Sequence, residues 1–238
     1  MELALEVRRR VKEQLKKMGS FEYHQTSFSY RDHETAEERY VGVPEEGGRA
    51  LLSTDPLAPG SVYTASVNTD GKVGIYRIEV GTSPGTGKLK TAGGVEGAIR
   101  ECLSRAFGYL QGHKVQLGLG GVFDSTDLHV EVIDMLGNRV ACESGLAMLV
   151  GMVSALRRTP ALPGLVILGD LSIQGNIKPV TTLAEPLQIV MENGARRALI
   201  PLENKRAFLE VSGDVVEKVD PVFFSDPLTA CHKALNSM

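Results

Sequence analysis

The sequence predicts an α+β fold, and three observations carry that prediction. Two strand-length runs, "SVYTASVN" and "GKVGIYRIEV", are joined through "TDG", a hairpin pattern. "DLHVEVI" alternates, with Leu128, Val130 and Val132 pointing one way. "SGLAMLVGMVSALR", residues 144 to 157, is a helix-length apolar run rich in small residues. Strands and helices follow one another without strict βαβ alternation, which separates this chain from the doubly wound class.

The elements follow in chain order. Residues 2–18 read as a helix, because Leu3, Val7, Val11, Leu15 and Met18 form one stripe and Gly19 follows as a stop. A stripe so close to residue 1, with no core of its own, is expected to be the tail of something larger. Residues 20–58 are polar and turn-rich, with "DHETAEE", "PEEGG" and "DPLAPG" around short strands such as "YVGV", and read as a connector or small β element. From residue 59 a larger domain is expected. It holds the hairpin, a third strand in "GKLKTAG", a helix over 95–111, the "DLHVEVI" strand and the helix from 144. "GLVILGDLSIQGNIKPV" then reads as a buried strand, a tight turn and a second strand. A helix over 182–193 carries Thr182 and Glu185 at capping-box spacing, "RRALIP" is a strand, and a last helix over 226–236 has Asp226 as N-cap and Pro227 at its first position.

Composition bounds the function. The chain has 238 residues, 42% hydrophobic and 23% charged, with a net charge of −3, so no overall basic field draws it to nucleic acid. The one basic patch is "RRRVKEQLKK", in which Arg8, Arg9, Arg10 and Lys12 are the candidates for a DNA contact. The competing reading is a solvated helix face. No apolar run approaches the roughly 18 residues of a membrane span, and the charged start lacks a signal-peptide core, so a cytoplasmic protein is expected. Cys102, Cys142 and Cys231 form no CxxC pair and read as free thiols.

Several segments resemble chemical motifs in part. "TSPGTGKLK" looks like a phosphate loop, but Thr82 stands where that loop needs glycine and Leu89 where it needs the magnesium-binding hydroxyl, so a turn is expected. The five histidines are scattered and predict no metal site. His129 reads as an exposed or hydrogen-bonded strand histidine. Ser144, opening an apolar helix, is either an N-cap or a nucleophile at a helix N-terminus. A serine nucleophile needs a base, and Lys178 in "NIKPV" is the lysine that residue chemistry offers.

Read together, "SVYTAS", "SPGTGKLKTAG", "DLHVEV", "ESGLAMLVGMVSAL", "LGDLSIQGNIKPVTTLAEPL" and "NGARRALIPLENKRAFLEV" resemble, in order, the proteolytic domain of the Lon family over residues 59–238. The resemblance implies the Lon-type α+β fold, normally fused behind an AAA+ ATPase, whose tail residues 1–19 would then be. It also implies a Ser-Lys dyad, the serine in an Asp-Gly-Pro-Ser-Ala-Gly stretch and the lysine closing Gly-Gly-Leu-Lys-Glu-Lys. Laid on this sequence, those two positions are Glu143 and Pro186, and the earlier lysine is Ala184. Ser144 falls one place after the family serine, a rotation of about 100° along a helix. The former catalytic groove is expected to involve His129, Glu131, Cys142 and Ala184, with Glu131 standing where the family strand has a second histidine.

"SFEYHQTSFSYRD", "SIQGNIKPV" and "AEPLQIVMENGARRALIPLENKRAF" narrow the resemblance to the Lon-related proteins of bacterial BREX phage-defence systems. That likeness implies a ring-forming homo-oligomer whose full-length form engages DNA, with ATP and magnesium bound in an AAA+ module outside this chain and no cofactor within it. With both dyad positions, Glu143 and Pro186, departing from the family pattern, an inactive protease fold serving assembly and interaction is expected. The alternative is an ATP-dependent serine endopeptidase using Ser144 with a lysine such as Lys178.

Overall fold

The computed structural model describes residues 27–31, 38–42, 51–67, 72–92, 97–137 and 144–236. The helix expected over residues 2–18, with Arg8, Arg9, Arg10 and Lys12, lies outside the described residues, as do Cys142 and Glu143. The chain divides into two compact units, residues 1–49 and 50–238. Of the first unit, two strands are described: β1 (Ser27–Arg31) and β2 (Glu38–Gly42), an antiparallel pair that contains part of the "YVGV" run.

The second unit is built on a seven-stranded mixed sheet. Its strands are β3 (Ser61–Val67), β4 (Val73–Pro84), β5 (Leu89–Thr91), β6 (Thr126–Asp134), β7 (Leu165–Ile167), β10 (Arg197–Pro201) and β11 (Asp220–Phe224), in the order β11-β10-β7-β3-β4-β6-β5. β3 runs parallel to β7 and antiparallel to β4, pairing Ser61 with Glu79 through Val67 with Val73, as the hairpin reading predicts. A separate antiparallel pair, β8 (Asp170–Leu171) and β9 (Ile177–Lys178), forms the tight turn expected in "GDLSIQGNIK".

The sheet is covered on both faces because its strands alternate between two apolar clusters. Val62, Ile78, Val80, Leu165, Ile167 and Leu199 face one cluster, with α1 (Gly97–His113), α2 (Gly120–Asp124), α3 (Gly145–Arg157) and α7 (Pro227–Leu235). Tyr63, Ala65, Ile75, Val166, Leu168 and Ile200 face the other, with α4 (Ala184–Glu192), α5 (Lys205–Leu209) and α6 (Gly213–Val216). The short α2, α5 and α6 and the edge strand β11 carry too little periodicity to be read from sequence.

Helix α3 is the centre of the first cluster. Every residue from Gly145 to Leu156 is buried. It packs on α1, α7, β3 and β4, and its small residues permit the close approach. Each fully buried Leu, Met or Val along it contributes about 1.5–3 kcal/mol relative to exposure. Its one mid-helix hydroxyl is fully used: Ser154 Oγ accepts from the Gly60 N–H at 2.8 Å and donates to the Thr159 carbonyl at 2.6 Å. The helix stops at Arg158, in the left-handed region, ahead of Pro160.

Two cap expectations differ in outcome. Asp226 caps α7, accepting from the Thr229 N–H at 2.8 Å, with Pro227 at the first position as expected. The capping box of Thr182 and Glu185 does not form, because α4 begins later, after Leu183, with no side-chain cap. Pro186 sits in the first turn of α4, where a missing N–H costs no helical hydrogen bond.

The turn in "SPGTGKLK" explains its likeness to a phosphate loop. Its backbone amides do cradle an anion, but an internal one. Asp127 Oδ1 accepts from the Thr86 N–H at 2.8 Å and the Lys88 N–H at 3.0 Å, and Lys90 Nζ lies 3.1 Å from Oδ2. A Cβ on Gly85 would fall 2.1 Å from Asp127 Cγ, so the close approach requires glycine. The Lys88 and Thr86 amides, then the Lys90 ammonium, hold the Asp127 carboxyl well below the usual carboxylate range.

Because the folded value lies below the unfolded one, the stabilisation from Asp127 is complete above the unfolded pKa of about 3.9 and is lost as pH falls through and below it. Urea melts of the wild type and Asp127→Asn between about pH 6 and pH 2 should therefore converge in acid. Curves that stay parallel would remove Asp127 as the source of acid sensitivity.

Candidate functional site

The candidate site lies where α3 begins against the middle of the sheet. Ser144 immediately precedes α3 and is 1% exposed. Its hydroxyl does not cap the helix, contrary to the N-cap reading; it turns to the sheet. Ser144 Oγ lies 2.6 Å from Thr64 Oγ1 and 3.4 Å from Ser66 Oγ, both on β3. Thr64 Oγ1 also lies 2.7 Å from the Ile167 carbonyl of β7. A hydroxyl has one proton and a carbonyl only accepts, so when Thr64 donates to Ile167, the proton on the short link comes from Ser144. The serine hydroxyl is thus committed to a structural chain from α3 through β3 to β7.

The cap on α3 is supplied by Asp170 instead. Its Oδ1 accepts from the Gly145 N–H at 3.2 Å, placing negative charge at the positive end of the helix dipole. Gly145 is required here, because a Cβ would fall 2.3 Å from Asp170 Oδ1. Asp170 Oδ2 receives two cations: Arg105 Nη2 at 2.7 Å from α1 and Lys178 Nζ at 3.3 Å from the facing strand β9. The Asp170 side chain is 10% exposed, and the acceptances at both oxygens satisfy its charge. Burial works against the Arg105 charge, but its hydrogen bond to Asp170 and the neighbouring negative groups outweigh that, so its pKa is raised.

Lys178 therefore differs from the apolar setting expected for it. Its side chain is 51% exposed and enters an ion pair with Asp170 as the ammonium. A general base for serine must be free of that proton and within hydrogen-bond reach of Oγ. Ser144 bonds to threonine and serine, and Lys178 to aspartate, so neither expected partner is bonded to the other.

Beside this corner opens a cleft of about 430 Å³. Ser66, Cys102, Arg105, Asp170, Lys178 and Pro186 are among the residues that line it. Pro186, where the resemblance puts the family lysine, is buried at the cleft and brings no base. His129, Glu131 and Ala184 are not among the described lining residues. His129 Nε2 is 2.9 Å from Ser83 Oγ, the hydrogen-bonded strand histidine that the sequence reading allows, and Glu131 and Ala184 are exposed. Behind the lining residue Val180, Asn204 accepts from its N–H at 3.0 Å and donates to its carbonyl at 2.8 Å, fixing the segment between β9 and α4. Sequence reasoning missed Arg105, Asp170, Thr64 and Ser66. The signal for Asp170 was a lone acid in the otherwise apolar run "LVILGDL".

Among the described residues no group of three or more His, Cys, Asp and Glu is arranged to hold a metal ion, and no helix is long and apolar enough to cross a membrane.

Replacing Asp170 by alanine strands the Gly145 N–H and unpairs Arg105. A loss of about 2–4 kcal/mol is expected, read as a lower urea midpoint. Asp170→Asn keeps the oxygen acceptor and should lose less. Equal losses would mean that the cap is not what the carboxylate supplies.

Comparison with known proteins gives the same architecture a family. The chain is 35% identical over 233 residues to the Lon-like protease BrxL of Escherichia coli O9:H4 (strain HS) and 32% identical over 234 residues to that of Bacillus cereus (strain H3081.97). Each match covers 98% of this chain and 34% of the relative, so the chain spans about a third of their length. It is 28% identical over 167 residues to the peroxisomal Lon protease homolog 2 of Caenorhabditis elegans, covering 70% of this chain and 21% of that protein. With residues 57–236 matching the domain described as the Lon protease (S16) C-terminal proteolytic domain, the chain belongs to the Lon family.

Proposed function

We propose that this chain is the Lon-like C-terminal domain of a BREX-associated AAA+ protein, and that it works in assembly and interaction without cutting peptides. The observation that carries this reading is the state of the expected catalytic groups. The Ser144 hydroxyl is buried and bonded to Thr64 and Ser66. The Lys178 ammonium is paired with Asp170. Pro186, where the resemblance puts the family lysine, has no side-chain base. An endopeptidase working through Ser144 and Lys178 would need both bonds broken and the lysine neutral, so the non-proteolytic reading is favoured.

On this reading the cleft holds rather than cleaves, and the domain works in a homo-oligomeric ring. The ATPase module, with its ATP, magnesium and DNA contacts, belongs on this reading to the two thirds of the relatives' length that this chain does not span.

The test is a peptidase assay on unfolded protein and fluorogenic peptides, with Ser144→Ala alongside. Equal background rates in the two proteins are expected. Turnover that disappears in Ser144→Ala would replace this reading with the endopeptidase one. Light scattering over a concentration series tests assembly: self-association is expected, and a strict monomer would show that this chain does not assemble by itself.

A further inference from the structure

Arg105 does two things with one nitrogen. Its Nη2 bonds Asp170 Oδ2 at 2.7 Å and lies 3.1 Å from Cys102 Sγ, one turn back on α1. The guanidinium thus lies beside a thiol that lines the cleft and yet is only 2% exposed. The helix carrying it is fixed, since Leu103, Ala106 and Leu110 are buried in the first cluster with α3. The arginine side chain is held much less firmly. It is 28% exposed, its Nε has no hydrogen-bond partner, and its tie to the cleft floor is one carboxylate oxygen shared with Lys178.

We propose that Arg105 is a side-chain gate at the inner end of the cleft, latched by the charge on Asp170. Latched, it shields Cys102. Released, the guanidinium swings to solvent on the fast timescale of partly exposed rotamers and uncovers the thiol and the floor beneath. The latch is ionic and partly exposed, so salt weakens it. An acidic group entering the cleft would do the same, because it offers the guanidinium a second carboxylate. The gate is a property of the cleft whether or not the domain cleaves peptides.

Asp170→Asn separates the latch from the helix cap, since asparagine keeps an oxygen for the Gly145 N–H while losing the charge. The readout is the reaction rate of Cys102 with a disulfide reagent in the full chain carrying Cys142→Ser. That rate follows the population of the open gate. Loss of one charge-assisted hydrogen bond should raise it about tenfold, and molar salt should raise the rate of the parent protein in the same direction. Lys178→Met removes the competing ammonium and should not raise it. Cys231, fully buried in α7, is the control for unfolding, and burial pushes its thiol up to about 12, away from the reactive form. A Cys102 rate unchanged by Asp170→Asn, or Cys102 and Cys231 reacting together, would overturn the gate.

Discussion

One carboxylate organises the heart of this domain. Asp170 leaves the sheet just beyond β7 and meets the first turn of the buried helix α3, the guanidinium of α1 and the ammonium of β9. A helix buried from its first residue cannot satisfy its first N–H groups with water. A negative group must come to it, and that group must itself be neutralised. Asp170 answers both needs. It therefore joins the start of α3 to the β8–β9 pair and, through Arg105, forms the floor of the cleft.

The same device recurs at two other places among the described residues. The glycine turn over 85–88 is filled by Asp127, and the start of α7 by Asp226. Burial opposes the charge of Asp226, yet hydrogen bonds from Thr229 outweigh it and lower its pKa. Each of these places offers backbone N–H groups to a negative charge. In each, an aspartate from the chain itself is already seated. A sequence pattern that resembles a ligand loop is thus a true statement about backbone geometry and a misleading one about ligands.

Long periodic elements were legible in the sequence. The hairpin of β3 and β4, the alternation of β6, the run of α3 and the Asp-Pro start of α7 all follow from patterns that belong to one segment. What escaped was set by distant partners. Whether Ser144 caps its helix depends on Thr64, some eighty positions earlier in the chain, and on Asp170 after it. The setting of Lys178 could not be read from its apolar neighbours, because its strand pair with β8 places it directly opposite Asp170. The Thr182 and Glu185 spacing matched a local motif, but the chain enters α4 through Leu183, which is buried in the second cluster, so packing overrode capping.

Pro186 has a consequence for how such a domain can persist. It occupies the first turn of α4, the one stretch of a helix in which proline is structurally silent. A proline can therefore stand at the cleft wall at this position while the helix and the sheet stay intact. The backbone of the helix and the chemistry of the cleft wall thus make separate demands on this position, and a residue can meet the first whatever it brings to the second.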